Sequence, residues 1–210
     1  FRTLFWLGYF AIGIILAIAA PFMAGKAELP VEMAAPAEAG DVQAAYKATQ
    51  VEEAAAIYAD EVKQSKPDET ALGVAAFTIA LNSNQASWSA AALDHFGNAE
   101  TQNGGSPILT AYRGSSYGLA ARDYPVTGAL LAFPGPGFVR IYDIMKAKSL
   151  LNKAVADSGS DPIILLLRAS SFAGFPGLFG TKDVGFADFD VLLSVISDPA
   201  NASEFTGTAT

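Results

Sequence analysis

The chain of 210 residues has no cysteine and a single histidine, His95. The absence of cysteine excludes disulfides, thiolate metal sites and cysteine nucleophiles. One histidine cannot complete the usual multi-histidine metal sites, and a serine nucleophile would have only this residue as its base. No phosphate-binding GK[ST] or haem attachment motif is present. The sequence therefore predicts a protein with no catalytic, metal or cofactor site, and so not an enzyme.

His95 follows Asp94, which raises the question of a catalytic or metal-binding pair. Adjacent residues on a helix point about 100° apart, so these two side chains do not face each other. We expect His95 to be a surface or hydrogen-bonded histidine.

Charge is also scarce, because only 16% of residues are charged while 51% are hydrophobic. The 21 acidic residues outnumber the 13 basic ones, which gives a net charge of −8. An acidic domain is repelled by phosphate backbones, so a nucleic-acid partner is not expected. Strand patterns are weak and alanine is common, which favours an all-α fold with closely packed helices.

The longest uncharged apolar run extends from Leu4 to Ala24. Its length of about 21 residues corresponds to roughly 31 Å of helix, the thickness of a bilayer's hydrocarbon core. The sequence therefore predicts a transmembrane anchor at 1–24. The residues expected to contact lipid or neighbouring helices are Leu4, Phe5, Trp6, Tyr9, Phe10, Ile14, Ile15 and Ile18.

A cleavable signal peptide is the alternative for this run, since Ala17-Ile18-Ala19 and Gly25-Lys26-Ala27 are small-x-small sites. The run is longer than the 7–15 apolar residues usual for a signal peptide, which favours a retained anchor. Arg2 before the run favours an inside N-terminus. These features predict a single-pass protein of the bacterial inner membrane with its main domain in the periplasm.

Beyond the anchor, the sequence predicts a Pro/Ala linker at 25–40, a helical domain at 41–200 and a polar tail at 201–210. Pro30 and Pro36 break helices in the linker. The predicted helices of the domain cover about 41–64, 68–82, 86–101, 108–122, 138–156, 162–173 and 183–197. Asp41, Asp68 and Asp183 are the expected caps of three of these helices, and Asp161-Pro162 is expected to open a fourth.

Paired helices separated by turns suggest a repeat, and Asp161-Pro162 and Asp198-Pro199 stand 37 positions apart at helix boundaries. The region 108–196 resembles a divergent group of bacterial tetratricopeptide-repeat-like proteins and is broadly similar to helical-repeat accessory proteins of envelope transport systems. The resemblance implies stacked helical hairpins and a binding role. It is carried by Ala111-Tyr112-Arg113-Gly114-Ser115-Ser116-Tyr117, Ala121-Arg122-Asp123, Leu150-Leu151-Asn152-Lys153-Ala154-Val155, Asp161-Pro162, Leu167-Arg168-Ala169, Phe175-Pro176, Leu178-Phe179-Gly180 and Ala187-Asp188-Phe189.

Arg168 follows an apolar run, and a buried guanidinium needs a partner. Asp188 and Asp123 are candidate partners, and Arg122 is a candidate fourth member. The group is either an internal lock between hairpins or part of a groove that binds an acidic partner.

The loop 123–137 contains Leu130, Leu131 and Phe133 among prolines and glycines. These apolar residues either cover the core or dock on a partner or on the bilayer surface.

Two functions follow from these features. The first is a non-catalytic accessory or scaffold subunit, whose anchor and helical-repeat domain bind other subunits of a membrane complex, with respiratory and photosynthetic complexes as fitting hosts. The second is a tethered periplasmic module that captures a peptide or small ligand for an envelope transport system. A deep apolar pocket with converging polar groups would favour the second function.

Overall fold

A computed structural model describes residues 39–124, 136–158 and 161–197 of the chain. This part of the chain is all-helical, as the sequence predicts. Its seven α-helices are α1 (Ala39–Glu61), α2 (Glu69–Ser83), α3 (Ala86–Asn103), α4 (Pro107–Asp123), α5 (Pro136–Ser158), α6 (Pro162–Gly174) and α7 (Lys182–Ser197), with a 3₁₀ turn at Gly177–Phe179.

Side-chain caps fix several helix starts. Asp68 accepts hydrogen bonds from the backbone N–H groups of Thr70 and Ala71 at the start of α2. Asp161 does the same for Ile163 and Ile164, and Pro162 occupies the first turn of α6, where a missing N–H is tolerated. The predictions that Asp68 caps its helix and that Asp161-Pro162 opens the next one are therefore confirmed.

The other two predicted caps are wrong. The helix α1 already begins at Ala39, so Asp41 lies inside it. The helix α7 begins at Lys182, which places Asp183 in its first turn rather than at its cap. An acidic residue in a first turn still interacts favourably with the helix dipole, and this is why it resembles a cap in the sequence.

Helices adjacent in sequence pack against each other, and α4 also contacts α2 and α6. α4 is therefore the central helix. Its Tyr112 stacks on Phe96 of α3, with ring centroids 5.3 Å apart, and meets Phe77 of α2 edge-on at 5.4 Å. Small residues let the backbones approach between these rings. The fully buried alanines of this core are Ala76, Ala80, Ala92, Ala99, Ala111, Ala147 and Ala154.

The last hairpin, α6–α7, has its own small core. Leu192 of α7 is buried with Leu165 and Leu166 of α6. Gly185 permits the close approach of the two helices, because a Cβ atom there would lie 3.0 Å from the carbonyl oxygen of Ala169. In the turn between the helices Phe175 is buried, whereas Leu178 is 82% exposed.

Candidate functional sites

Arg168 lies in α6 and forms a two-pronged ion pair with Asp188 of α7. Its Nε and Nη2 atoms donate to the two carboxylate oxygens at 2.7 and 2.6 Å. The side chains of Arg168 and Asp188 are only 15% and 7% exposed. Nη1 donates to Asn152 of α5 at 3.3 Å, and the guanidinium carbon lies 5.9 Å from the ring centroid of Phe172. The arginine thus connects three helices.

This geometry answers the sequence-based question about the partners of Arg168. Asp188 is the partner, whereas Asp123 pairs with Arg122 instead. Paired, planar donor and acceptor groups of this kind give geometric specificity as well as energy. The arrangement supports the internal-lock interpretation, since both carboxylate oxygens of Asp188 are already engaged by the guanidinium.

Arg122 caps the end of α2 rather than joining Arg168. Its guanidinium donates to the carbonyl oxygens of Ala80 and Leu81 at 2.7 and 3.2 Å. These carbonyls lie in the last turn of α2, where backbone acceptors lack intrahelical partners. Asp123 accepts from Nε at 2.6 Å and holds the arginine in place. The residue therefore fastens α4 to the C-terminal end of α2.

The single histidine is the centre of a polar cluster contributed by three helices. Nδ1 of His95 lies 2.7 Å from a carboxylate oxygen of Glu69, and Nε2 lies 2.9 Å from the hydroxyl of Tyr58. Asn98 donates to the same Glu69 oxygen at 3.2 Å. Trp88 meets the Tyr58 ring edge-on at 5.1 Å. His95 is therefore a hydrogen-bonded histidine.

The chemistry of this cluster follows from the donor and acceptor roles. A carboxylate only accepts, so Nδ1 of His95 carries a hydrogen. Nε2 then accepts from the Tyr58 hydroxyl when the ring is neutral, and donates to it when the ring is charged. The order hydroxyl, imidazole, carboxylate is the order found in nucleophilic triads, with a phenol in the place of serine. The same bonds fasten α1, α2 and α3 together.

The sequence offered no local signal for this cluster. Tyr58 and Glu69 lie 37 and 26 positions before His95. Only the packing of α1 and α3 on α2 brings them together. The neighbour that the sequence does suggest, Asp94, is exposed.

Two helices leave large apolar side chains in solvent. On α5 these form the α5 stripe, defined as Phe138, Ile141, Tyr142 and Met145, which are between 49% and 66% exposed. On α7 they form the α7 flanks, defined as Val184, Val191 and Leu193, which are between 40% and 54% exposed. Exposed apolar groups that cluster on one element indicate interaction sites, whereas scattered ones do not.

Burial raises the pKa of three described residues, Tyr46, Tyr112 and Asp143. Burial, reinforced by the charge of Asp161, raises the pKa of Tyr112, so this phenol stays protonated in the core. Partial burial also raises the pKa of Asp143, which lies in α5 beside the α5 stripe.

The remaining predicted site residues lie outside the described residues. They are the anchor positions Leu4, Phe5, Trp6, Tyr9, Phe10, Ile14, Ile15 and Ile18 and the loop positions Leu130, Leu131 and Phe133. Within residues 39–124, 136–158 and 161–197, no helix combines the length and apolar character needed to cross a bilayer. The same ranges contain no group of three or more His, Asp or Glu residues placed to hold a metal ion.

Comparison with known proteins found no match among protein-family models, curated proteins or solved structures.

Proposed function

We propose that this chain is a non-catalytic, membrane-anchored accessory subunit that binds other subunits of a membrane protein complex. The uncharged run Leu4–Ala24 supports the anchor. The proposal places the chain in the bacterial inner membrane with the helical domain in the periplasm. The observation that carries the binding role is the exposure of the α7 flanks at the end of the helix stack.

The geometry of α7 explains why these flanks suit a partner helix. The extensive contacts of α7 within the described residues are all with α6. Leu192 faces α6, and neighbours on a helix are about 100° apart, so Val191 and Leu193 lie on opposite flanks of the buried face. Val184 lies two turns before Val191, on the same flank of α7. The end of a helical stack normally has a polar outer face, and in α7 this face holds the exposed residues Asp183, Asp190 and Ser194. The apolar flanks lie between this polar face and the contact with α6.

The polar side chains of these clusters bond to each other, which supports the same proposal. Arg168 and Asp188 engage each other, and the Tyr58, His95 and Glu69 side chains are bonded within their own cluster. Binding through the α7 flanks then depends on buried apolar area. Burying a Val or Leu side chain contributes about 1.5–3 kcal/mol.

The test is gentle detergent extraction from native membranes, followed by sizing and mass spectrometry of the proteins that travel with this chain. We expect the wild-type chain to migrate with a larger complex in a fixed ratio. The double variant Val191→Gln/Leu193→Gln should lose this association and keep its helix content, because glutamine is a good helix former. The matched control is Val62→Gln, which changes a 53% exposed valine just after α1 and should leave the association intact.

Two results would overturn the proposal. One is a wild-type chain that migrates alone at 21.8 kDa plus detergent. This result would direct attention to the tethered periplasmic module that captures a peptide or small ligand. The other is equal loss of association in the α7 variant and the Val62 control, which would show that the α7 flanks are not the binding surface.

A further inference from the structure

The α5 stripe is continuous along the first two turns of its helix. At about 100° per residue, Phe138, Ile141, Tyr142 and Met145 fall within an arc of roughly 100°. The buried residues of α5 occupy the opposite side, where Ile144, Ala147 and Leu151 are at most 3% exposed. α5 is therefore apolar on two opposite faces, of which α4 and α6 cover one.

Basic residues concentrate on this same helix. Four of the thirteen Lys and Arg residues of the chain lie in α5, against two acidic residues, so α5 carries a net charge of +2 in a protein of net charge −8. These basic residues are Arg140, Lys146, Lys148 and Lys153. Lys146 and Lys148 fall about 80° to either side of Phe138, on the two borders of the stripe. Lys148 also donates to the carbonyl oxygen of Phe179 at 3.0 Å.

We infer that the α5 stripe seats on the surface of an anionic lipid bilayer. A helix with an aromatic and aliphatic face bordered by lysines lies in the headgroup region, where its apolar side chains enter the acyl boundary and its cations meet lipid phosphates. Each such cation contributes about 1 kcal/mol near an anionic leaflet. This contact is separate from the protein contact proposed for the α7 flanks and does not depend on it.

A protein partner fits the α5 stripe less well than lipid does. Aromatic residues beside Lys are typical of membrane-surface helices, and the net charge of +2 on α5 in an acidic protein matches an anionic leaflet. The sequence also predicts a bilayer close to the domain, because only residues 25–38 separate the uncharged run ending at Ala24 from α1. These fourteen or so residues reach at most about 50 Å, so a bilayer holding the run stays within reach of the domain.

The test uses the full chain in vesicles, with a fluorophore at a single introduced cysteine. The chain has no cysteine of its own, so the labelling position is unambiguous. The test position is Tyr142→Cys, with Met145→Cys as a second position in the stripe. The matched control is Leu193→Cys, which is 54% exposed compared with 59% for Tyr142. Far-UV circular dichroism checks that each labelled chain keeps its helices.

The vesicles contain phosphatidylcholine, with or without about one third phosphatidylglycerol, and brominated acyl chains quench a label that enters the bilayer. In the anionic vesicles we expect fluorescence at position 142 to fall about twofold or more, and fluorescence at position 193 to stay unchanged. Neutral vesicles, high salt and the added change Lys146→Gln should each reduce the quenching at position 142.

Three results would overturn the inference. The first is equal quenching at positions 142 and 193, or none at positions 142 and 145. The second is quenching at position 142 that neutral vesicles and high salt leave unchanged, since the contact would then not depend on anionic lipid. The third is shielding at position 142 that arises only when co-purified protein subunits are added, which would identify a protein as the occupant.

Discussion

Replacement of Arg168 by methionine tests whether its ion pair locks α7 to α6. The change removes the cation and leaves the Asp188 carboxylate 7% exposed without its two charged donors. Loss of one partner from a buried pair costs about 3–5 kcal/mol, since the remaining charge is desolvated and uncompensated. Against a typical total stability of about 5–15 kcal/mol this is a large loss. Methionine keeps most of the apolar stem of the arginine, so the loss of the charge dominates the effect.

The assay is urea unfolding of the full chain in a mild non-ionic detergent, followed by far-UV circular dichroism. The double variant Arg168→Met/Asp188→Leu should recover most of the loss, because it removes both charges. The control Lys153→Met breaks the exposed pair with Asp157, which contributes at most about 0.5 kcal/mol. A loss below about 1 kcal/mol for Arg168→Met would refute the lock and favour a groove that binds an acidic partner.

Three further predictions use the same unfolding assay. Gly73→Ala should lower the free energy of unfolding by about 1–3 kcal/mol, because the new Cβ would lie 2.6 Å from Cε1 of the fully buried Phe96 ring. The control Gly97→Ala places its Cβ in open space and should be neutral or stabilising. Equal effects of the two changes would contradict the close approach of Gly73 to Phe96. Asp161→Ala removes the cap of α6 and should lower the free energy of unfolding by about 1 kcal/mol. An unchanged urea midpoint would show that Pro162 alone fixes the start of the helix. Asp143→Asn should exceed the parent in stability at neutral pH, since burial raises the pKa of Asp143 and penalises its ionised form. This difference should shrink as the pH falls through the raised pKa and vanish below the pKa of the unfolded state. A difference that grows on acidification would reverse the sign of the argument.

Local signals in the sequence located most of the helices. Asp68 before α2, Asp161-Pro162 before α6 and the Asn-Gly-Gly segment after α3 all mark boundaries that the structure contains. These signals depend on backbone chemistry within a few residues, so they can be read without tertiary information. The same locality explains the errors at Asp41 and Asp183, because an acidic residue is favourable both at a cap and in a first turn.

The polar clusters depend on packing, and the sequence predicted them only in part. Arg168 was identifiable from the apolar run before it, since a buried guanidinium must find a carboxylate. The choice between Asp188 and Asp123 required the arrangement of α6 and α7. Arg122 shows the opposite difficulty, because its partners include backbone carbonyls of α2, 41 and 42 positions earlier in the chain, and these carry no sequence signal.

The two proposed surfaces differ in charge, and this difference separates their partners. α5 carries four basic and two acidic residues, whereas α7 carries one basic residue, Lys182, and three acidic ones. An anionic bilayer attracts the first helix and repels the second. The α7 flanks therefore suit a protein partner, and the α5 stripe suits lipid.

If α5 rests on the bilayer, the domain is held by both the predicted anchor and this helix, which limits the orientations in which α7 can meet a neighbouring subunit. Loss of the α5 contact should then weaken subunit association through lost orientation, with the α7 flanks unchanged.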